Sequence, residues 1–316
     1  MVIECQILLT PKEGIYKSGD AITGSLAYRI QEPTVFESIF VYLSCKGKCH
    51  WSEGSGKNRR SYSGKEKYVS IQHFLVSEES LVEEGDYKHP FEFFLPQNLP
   101  SSFKDYICTI SYKVKGVFIK PGLFGTKKFE TEIPFYGDVN PTLAQPIIFG
   151  LTKCPFSLFT TEGPVDLKIE VEKTFLMPGE NIKFKGTITN NSDTPVTGIR
   201  SRLVTEITYI SDTNHKKIVR TTIKESVVET PGVEEDSEFS FKCVVPTLPN
   251  LYTIQHSEIL IREYKLNVEV KLPFPHRDAS AEIPVVIGEQ GKLEEENAGC
   301  SQTQEKDYEK DYEKNF

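Results

Sequence analysis

Two cysteines next to a histidine form the strongest candidate metal site in this 316-residue sequence. Cys45 and Cys49 are separated by three residues and His50 follows, but a closed zinc site needs about four ligands and no second Cys/His pair is present. Period-two alternation places both thiols on one strand face. We therefore predict core packing and no metal site for this face, which comprises Val41, Leu43, Cys45, Gly47, Cys49 and Trp51.

The other thiols suggest a redox function as an alternative. The seven cysteines are scattered, and in a cytosolic chain their default state is the free thiol. Cys154 and Cys300 lie in less regular segments and are the candidates for exposed, reactive thiols. A thiol without an activating neighbour has a pKa of about 8.5, which makes it a poor nucleophile at neutral pH.

A cluster of cations could contact an anionic partner. A Gly/Ser-rich hairpin contains one anion, Glu66, and five cations: Lys57, Arg59, Arg60, Lys65 and Lys67. Such a cluster could approach anionic lipid or phosphorylated cargo, at about 1 kcal/mol per basic residue near a membrane surface. The alternative is a solvated loop tip. A weaker version of the pattern comprises Lys216, Lys217 and Arg220.

The C-terminal segment 289–316 is acidic, with nine acidic residues against four lysines. It has almost no aliphatic residues and cannot bury enough apolar area to offset chain entropy, so we predict disorder. Tyr308 and Tyr312 each follow an aspartate and are candidate phosphorylation sites, with a simple solvated tail as the alternative.

Composition and motifs exclude several classes of protein. The net charge of -8 argues against nucleic-acid binding. No apolar run is long enough to span a membrane, and the first residues lack a signal peptide, so we expect a cytoplasmic protein. Nucleophile-elbow, metalloprotease and phosphate-loop motifs are missing, and the six histidines are scattered. We therefore predict no catalysis and no cofactor.

Short alternating apolar runs separated by Gly, Pro, Asn and Asp clusters predict an all-β antiparallel fold. The second half of the chain repeats the first. Tyr16–Ile22 is echoed by Leu176–Ile182, and both segments contain a turn glycine, Gly19 or Gly179, free to adopt positive φ. Two further pairs of segments correspond: Phe91–Pro100 with Phe241–Pro249, and the tyrosine-centred strands around Tyr112 and Tyr264.

An internal repeat of this length predicts two tandem immunoglobulin-type β-sandwiches. Proline-rich and Gly-Pro interruptions mark the junction between them. The predicted division is one sandwich at 1–140, a linker at 141–162, a second sandwich at 163–288 and the acidic tail at 289–316.

The ordered motifs resemble the arrestin-like family, and within it the arrestin domain-containing proteins, or α-arrestins. The resemblance covers about residues 1–288 and is carried by YKSGDAITGSL, PFEFFLPQNLPSSFKDYICTISYKVKG, the junction DVNP, MPGENIKFKGTITNNSD and IPVVIG. It implies two arrestin-like sandwiches in a non-enzymatic cytosolic adaptor. Such adaptors bind membrane receptors or transporters, are recruited to the plasma membrane and endosomes, and direct endocytic sorting, often through a ubiquitin ligase.

Two departures limit what the resemblance implies. The tail lacks the Pro-Pro-x-Tyr motif that docks on WW domains, so we expect any ligase to arrive indirectly, for example through another arrestin. The first strand, ECQILL, lacks the tandem lysines that contact receptor phosphates in visual-type arrestins. Two other functions remain open: a thioredoxin-binding redox regulator and a retromer-type coat scaffold.

Overall fold

The computed structural model describes residues 3–10, 14–122, 125–140, 147–153, 155 and 163–290. The predicted all-β fold is confirmed, since apart from one turn of 3-10 helix at Gly56–Asn58 every regular element of the described residues is a strand. Four candidate site residues lie outside the described residues: Cys154, Cys300, Tyr308 and Tyr312.

The first domain contains twelve strands: β1 (Glu4–Thr10), β2 (Tyr16–Lys17), β3 (Ala21–Ile30), β4 (Thr34–Phe36), β5 (Ser38–Glu53), β6 (Arg60–Val76), β7 (Ser80–Val82), β8 (Gly85–Phe94), β9 (Phe103–Lys104), β10 (Cys108–Ile119), β11 (Thr126–Ile133) and β12 (Phe135–Tyr136). One sheet has the order β1-β3-β8. The facing sheet has the order β11-β10-β5-β6, with β9 paired to β10. Their inner faces enclose an apolar core that includes Leu26, Leu43 and Phe118.

The second domain contains nine strands: β13 (Ile147–Lys153), β14 (Val165–Val171), β15 (Phe175–Leu176), β16 (Ile182–Asn190), β17 (Val196–Ile210), β18 (Lys216–Val233), β19 (Ser237–Val245), β20 (Leu260–Lys271) and β21 (Ala279–Ile287). Its sheets have the orders β13-β14-β16-β19 and β15-β21-β20-β17-β18. The run β21-β20-β17-β18 therefore corresponds to β11-β10-β5-β6, and the predicted repeat is confirmed at the level of strand order.

The repeated turns have the same geometry. Gly19 has φ 79° and Gly179 has φ 84°, as predicted. The acid after each glycine caps its turn, because Asp20 Oδ2 accepts from the Lys17 backbone N–H at 2.8 Å and Glu180 Oε2 accepts from that of Met177 at 3.1 Å. Each turn thus fixes the face on which the next strand begins.

The two tyrosine-centred strands also correspond. The Tyr112 hydroxyl donates to the carbonyl of Pro100 at 2.6 Å, and the Tyr264 hydroxyl donates to the carbonyl of Tyr252 at 3.3 Å. In both cases the acceptor lies 12 residues upstream. A buried tyrosine satisfies its polar end in this way while its ring packs in the core.

The cysteines require one correction. The Cys45 and Cys49 side chains are buried on the inner face of β5, as predicted. The expectation of free thiols throughout is wrong, however, because Cys49 forms a disulfide with Cys108, which lies directly opposite on β10. The antiparallel register brings the two Cα atoms to 4.1 Å, a contact that sequence spacing does not reveal. Cys5, Cys45 and Cys243 are free.

The two domains meet through an extension of the first domain's core. Ile259 of the second domain packs against glycines on two neighbouring strands, since a Cβ at Gly47 or Gly64 would lie 2.7 or 3.1 Å from its side chain. Around this contact, His215 Nε2 lies 3.0 Å from Glu53 Oε2. The outer face of β5 and β6 is therefore held in a fixed relation to the second domain.

Candidate functional site

The outer face of the sheet β11-β10-β5-β6 is densely basic. Residues directly opposite in a sheet share a face, and the registers of β5, β6, β9, β10 and β11 place one set of lysines together on the solvent side. We call this surface the basic face. Its lysines are Lys46, Lys48, Lys65, Lys67, Lys104, Lys113, Lys115 and Lys128.

Like charges meet directly across two of its strands. Lys46 on β5 lies opposite Lys67 on β6, and Lys48 lies opposite Lys65. Such pairs destabilise a sheet, because the Cβ atoms of opposite residues lie roughly 5 Å apart and side chains of like charge repel each other. These lysine–lysine pairs are therefore unfavourable for stability, and packing of the core does not require them because they lie on the solvent side.

A shallow groove runs along the centre of the basic face. Amines and hydroxyls alternate around it, and its lining residues are Ser44, Lys46, Lys48, Thr109, Ser111, Lys113 and Lys115. Both groups donate hydrogen bonds to anionic oxygens. The groove is therefore suited to carboxylates or phosphates, and none of its lining residues is itself a carboxylate.

Carboxylates compensate only one edge of the face. Glu130 lies 2.5 Å from Lys113 Nζ and 3.4 Å from Lys115 Nζ. The hydrogen bond from Lys113 and the charges of both lysines lower the pKa of Glu130. Elsewhere the described residues place no carboxylate within ion-pair distance of Lys46, Lys48, Lys65, Lys67 or Lys104.

The mutual repulsion of the cations is visible at Lys128. Its pKa is lowered, first by partial burial and then by the charges of Lys115 and Lys46. Amines on three different strands thus act on one another across the face. An anion placed among them would relieve this repulsion.

The structure divides the predicted cation cluster into two groups. Lys65 and Lys67 belong to the basic face, where the Lys65 backbone N–H also donates to Asp212 of the second domain at 3.1 Å. Lys57, Arg59 and Arg60 are exposed at the hairpin tip, where Arg59 Nη2 lies 3.4 Å from Ser52 Oγ. The tip and the face are continuous through β6.

Sequence reasoning missed the lysines of β5 and β10, although the signal was present. Both strands contain a Lys-x-Lys pattern, Lys46-Gly-Lys48 and Lys113-Val-Lys115. Since Cys45 and Cys49 face the core, alternation places the lysines between them on the solvent side. The missing information was that these two strands are neighbours.

The equivalent face of the second domain is electrically compensated. Glu206 accepts from Arg220 at 2.5 Å and from Lys265 at 3.0 Å, and Glu229 accepts from Arg200 at 2.6 Å and from Lys271 at 3.1 Å. Glu269 and Glu282 extend this ladder of ion pairs. Arg220, part of the weaker basic pattern in the sequence, is therefore committed to neighbouring carboxylates.

No group of three or more His, Cys, Asp or Glu side chains in the described part of the chain is arranged to hold a metal ion. No helix among the described residues is long and apolar enough to cross a bilayer.

Comparisons with known proteins agree with this architecture. Residues 5–133 match the family model "Arrestin (or S-antigen), N-terminal domain", and residues 161–291 match "Arrestin (or S-antigen), C-terminal domain". Arrestin domain-containing protein 17 of Caenorhabditis elegans is 27% identical over 310 residues, covering 90% of this chain and 70% of that protein.

Two human proteins are similar over the same share of the chain. Arrestin domain-containing protein 5 is 24% identical over 313 residues, covering 90% of this chain and 88% of the relative. Arrestin domain-containing protein 1 is 23% identical over 291 residues, covering 90% and 64%. With both arrestin domains matched in order on a tandem sandwich fold, this chain belongs to the arrestin domain-containing proteins, the α-arrestins.

Proposed function

We propose that this chain is a non-catalytic adaptor that binds membrane receptors or transporters and directs their endocytic sorting. The basic face is the surface that contacts their cytoplasmic segments. One observation carries the proposal: of two equivalent sheets, one pairs its charges and the other leaves Lys46, Lys48, Lys65, Lys67 and Lys104 uncompensated. An uncompensated polar surface on a rigid scaffold is a feature of recognition.

Place of action and partners follow from this role. The adaptor works in the cytoplasm and is recruited to the plasma membrane and to endosomes by its cargo. The sequence contains no Pro-Pro-x-Tyr motif, so a ubiquitin ligase joins indirectly, through the cargo or through another arrestin. Nucleic acid is an unsuitable ligand because the chain has a net charge of -8.

The redox alternative gains no support from the described thiols. Burial raises the pKa of Cys5 and of Cys45 to about 12, and it also raises the pKa of Cys243. A thiol that resists ionisation is a poor nucleophile toward a disulfide partner. Cys154 and Cys300 stay candidates of the sequence alone.

Proximity labelling from the full chain in cells tests the proposal. The test variant carries Lys46→Gln, Lys48→Gln, Lys65→Gln and Lys67→Gln. The control removes three lysines from a groove on the other sheet of the second domain, with Lys168→Gln, Lys185→Gln and Lys242→Gln.

We expect the wild type and the control to label transporters, receptors and endosomal proteins, and the test variant to lose most of them. Labelling dominated by thioredoxin or by fixed coat subunits would contradict the adaptor function. Equal labelling by all three chains would show that the adaptor function does not depend on the basic face.

A further inference from the structure

We propose that the basic face binds an extended protein segment with a carboxylate at every second residue. This inference rests on the proposed function and names the chemical class of its partner. It follows from the spacing of the lysines, the distance between the two strands that line the groove and the limited exposure of two of its lysines.

The lysines repeat with the period of a strand. Lys46 and Lys48 on β5, Lys65 and Lys67 on β6, and Lys113 and Lys115 on β10 are each two residues apart. Two residues of a strand advance by about 6.7 Å. An extended ligand parallel to these strands advances by the same distance per two residues, so acids at alternate positions match successive amines.

The groove favours an extended chain over a helix. It is lined from β5 and β10, which are paired neighbours and therefore lie about 4.8 Å apart. A helix with its side chains is about 10–12 Å across and would ride on the lysine tips. An extended segment is narrower, so its acidic side chains can reach the amines and also the hydroxyls of Thr109 and Ser111.

The limited exposure of two lysines favours a peptide over a membrane surface. The side chains of Lys113 and Lys115 are only 31% and 23% exposed. A planar bilayer would contact the outermost cations of the face and leave these two behind. A single chain in the groove can engage Lys46 and Lys48 and compete with Glu130 for Lys113 and Lys115.

Two peptides of identical composition test the match. One alternates glutamate and threonine over eight residues, and the other carries four glutamates followed by four threonines. In the extended form the blocked peptide directs only half of its carboxylates toward the face. Binding of each labelled peptide to the full chain is measured by fluorescence anisotropy at low ionic strength, where surface contacts are weakly screened.

We expect the alternating peptide to bind about fivefold more tightly, as the loss of two surface ion pairs implies. Lys46→Gln with Lys48→Gln should abolish the difference, while Lys168→Gln with Lys185→Gln should preserve it. Equal affinities for both peptides would overturn the proposal and indicate unspecific charge attraction. Retained preference in the Lys46→Gln, Lys48→Gln variant would overturn the location.

Two other occupants are separated by further arms of the same experiment. The chain's own tail carries acids at alternate positions, so a full chain with Asp307→Asn, Glu309→Gln, Asp311→Asn and Glu313→Gln is included. Peptide binding seen only in that variant would assign the face to the tail and overturn a partner segment. Lysine-dependent binding to phosphatidylserine vesicles without peptide binding would assign it to a lipid surface.

Failure of the alternating-carboxylate proposal can be distinguished from failure of the proposed adaptor function. If the peptides bind equally but cellular labelling of membrane proteins still depends on Lys46, Lys48, Lys65 and Lys67, the adaptor function stands and the alternating pattern is wrong. If the alternating peptide is preferred but no membrane protein is labelled, the chemical class is right and the adaptor function is wrong.

Discussion

The sheets β11-β10-β5-β6 and β21-β20-β17-β18 have the same strand order. They differ in charge pairing on their outer faces. In the second domain, cations and carboxylates interlock around Glu206, Glu229 and Glu282. In the first domain, lysines face lysines across β5 and β6. The fold itself therefore does not demand lysines at these positions, and their accumulation points to recognition rather than to stability.

In the second domain, a buried carboxylate neutralises neighbouring cations and stabilises the sheet. Glu206 is only 8% exposed. Burial alone would raise its pKa, but the hydrogen bond from Lys265 and the charges of Lys265 and Arg220 outweigh burial and lower the pKa below the ordinary 4.5. A carboxylate so placed holds two cations from two different strands.

Among the differences between the two sheets, removal of the Cys49–Cys108 disulfide should have the largest effect on stability. Cys49 and Cys108 join β5 to β10 at the position where the second domain has Tyr209 opposite Leu260. A Cys49→Ala, Cys108→Ala variant should lose about 2–4 kcal/mol of the free energy of unfolding, because the unfolded chain gains entropy. Urea unfolding measures the loss, and Cys243→Ala is the control for removing a buried sulfur. A loss no larger than the control's would mean that the link contributes nothing.

Glu206→Gln should rank second. The substitution leaves Lys265 and Arg220 without their shared carboxylate at a buried position, so we expect about 1–3 kcal/mol less stability. Glu132→Gln is the control. Glu132 is exposed and lies opposite Lys113 on the basic face, so its substitution should change stability by less than about 0.5 kcal/mol. Thermal and urea unfolding of both variants give the comparison, and equal effects would show that the ladder is not stabilising.

A single charge reversal should make the first domain resemble the second. Lys46→Glu places a carboxylate opposite Lys67, which should raise the free energy of unfolding by about 0.5 kcal/mol and abolish binding of the alternating peptide. Lys168→Glu is the control, since its groove already contains Glu170. Unchanged or lower stability of Lys46→Glu would contradict the view that the lysines repel one another.

The smallest effect should be in the dependence on pH. Because the folded pKa of Glu206 is depressed, its contribution to stability is present above pH 4.5 and is lost as the pH falls through the lower folded pKa. The wild type should therefore lose more stability than Glu206→Gln between pH 5 and pH 3. Unfolding midpoints across that range provide the measurement, and parallel curves would contradict the depressed pKa.

The sequence carried most of the fold. Three features could be recognised because each involves residues that are close together along the chain. They are the alternation of apolar residues, the repeated turns at Gly19 and Gly179, and the corresponding tyrosines. The disulfide was not visible, because it depends on the register between β5 and β10, strands that are far apart along the chain.

The basic face was only half visible for a related reason. Uninterrupted alternation along β6 would put Lys65 and Lys67 on the same side as Val69, which is buried against Cys45. A register shift between Cys45 and Lys46 leaves Tyr68 as an extra residue and moves the lysines to the outside. A bulge of this kind has no clear signature in the residues themselves.

Site-specific photo-crosslinking from the two equivalent faces would test the central claim most directly. A photoreactive amino acid replaces Ser111 at the centre of the basic face, or Val204 at the centre of the paired face, in the full chain expressed in cells. We expect cytoplasmic segments of membrane proteins to be captured from position 111 and not from position 204. Equal capture from both positions, or capture from position 204 alone, would contradict the assignment of recognition to the uncompensated lysines.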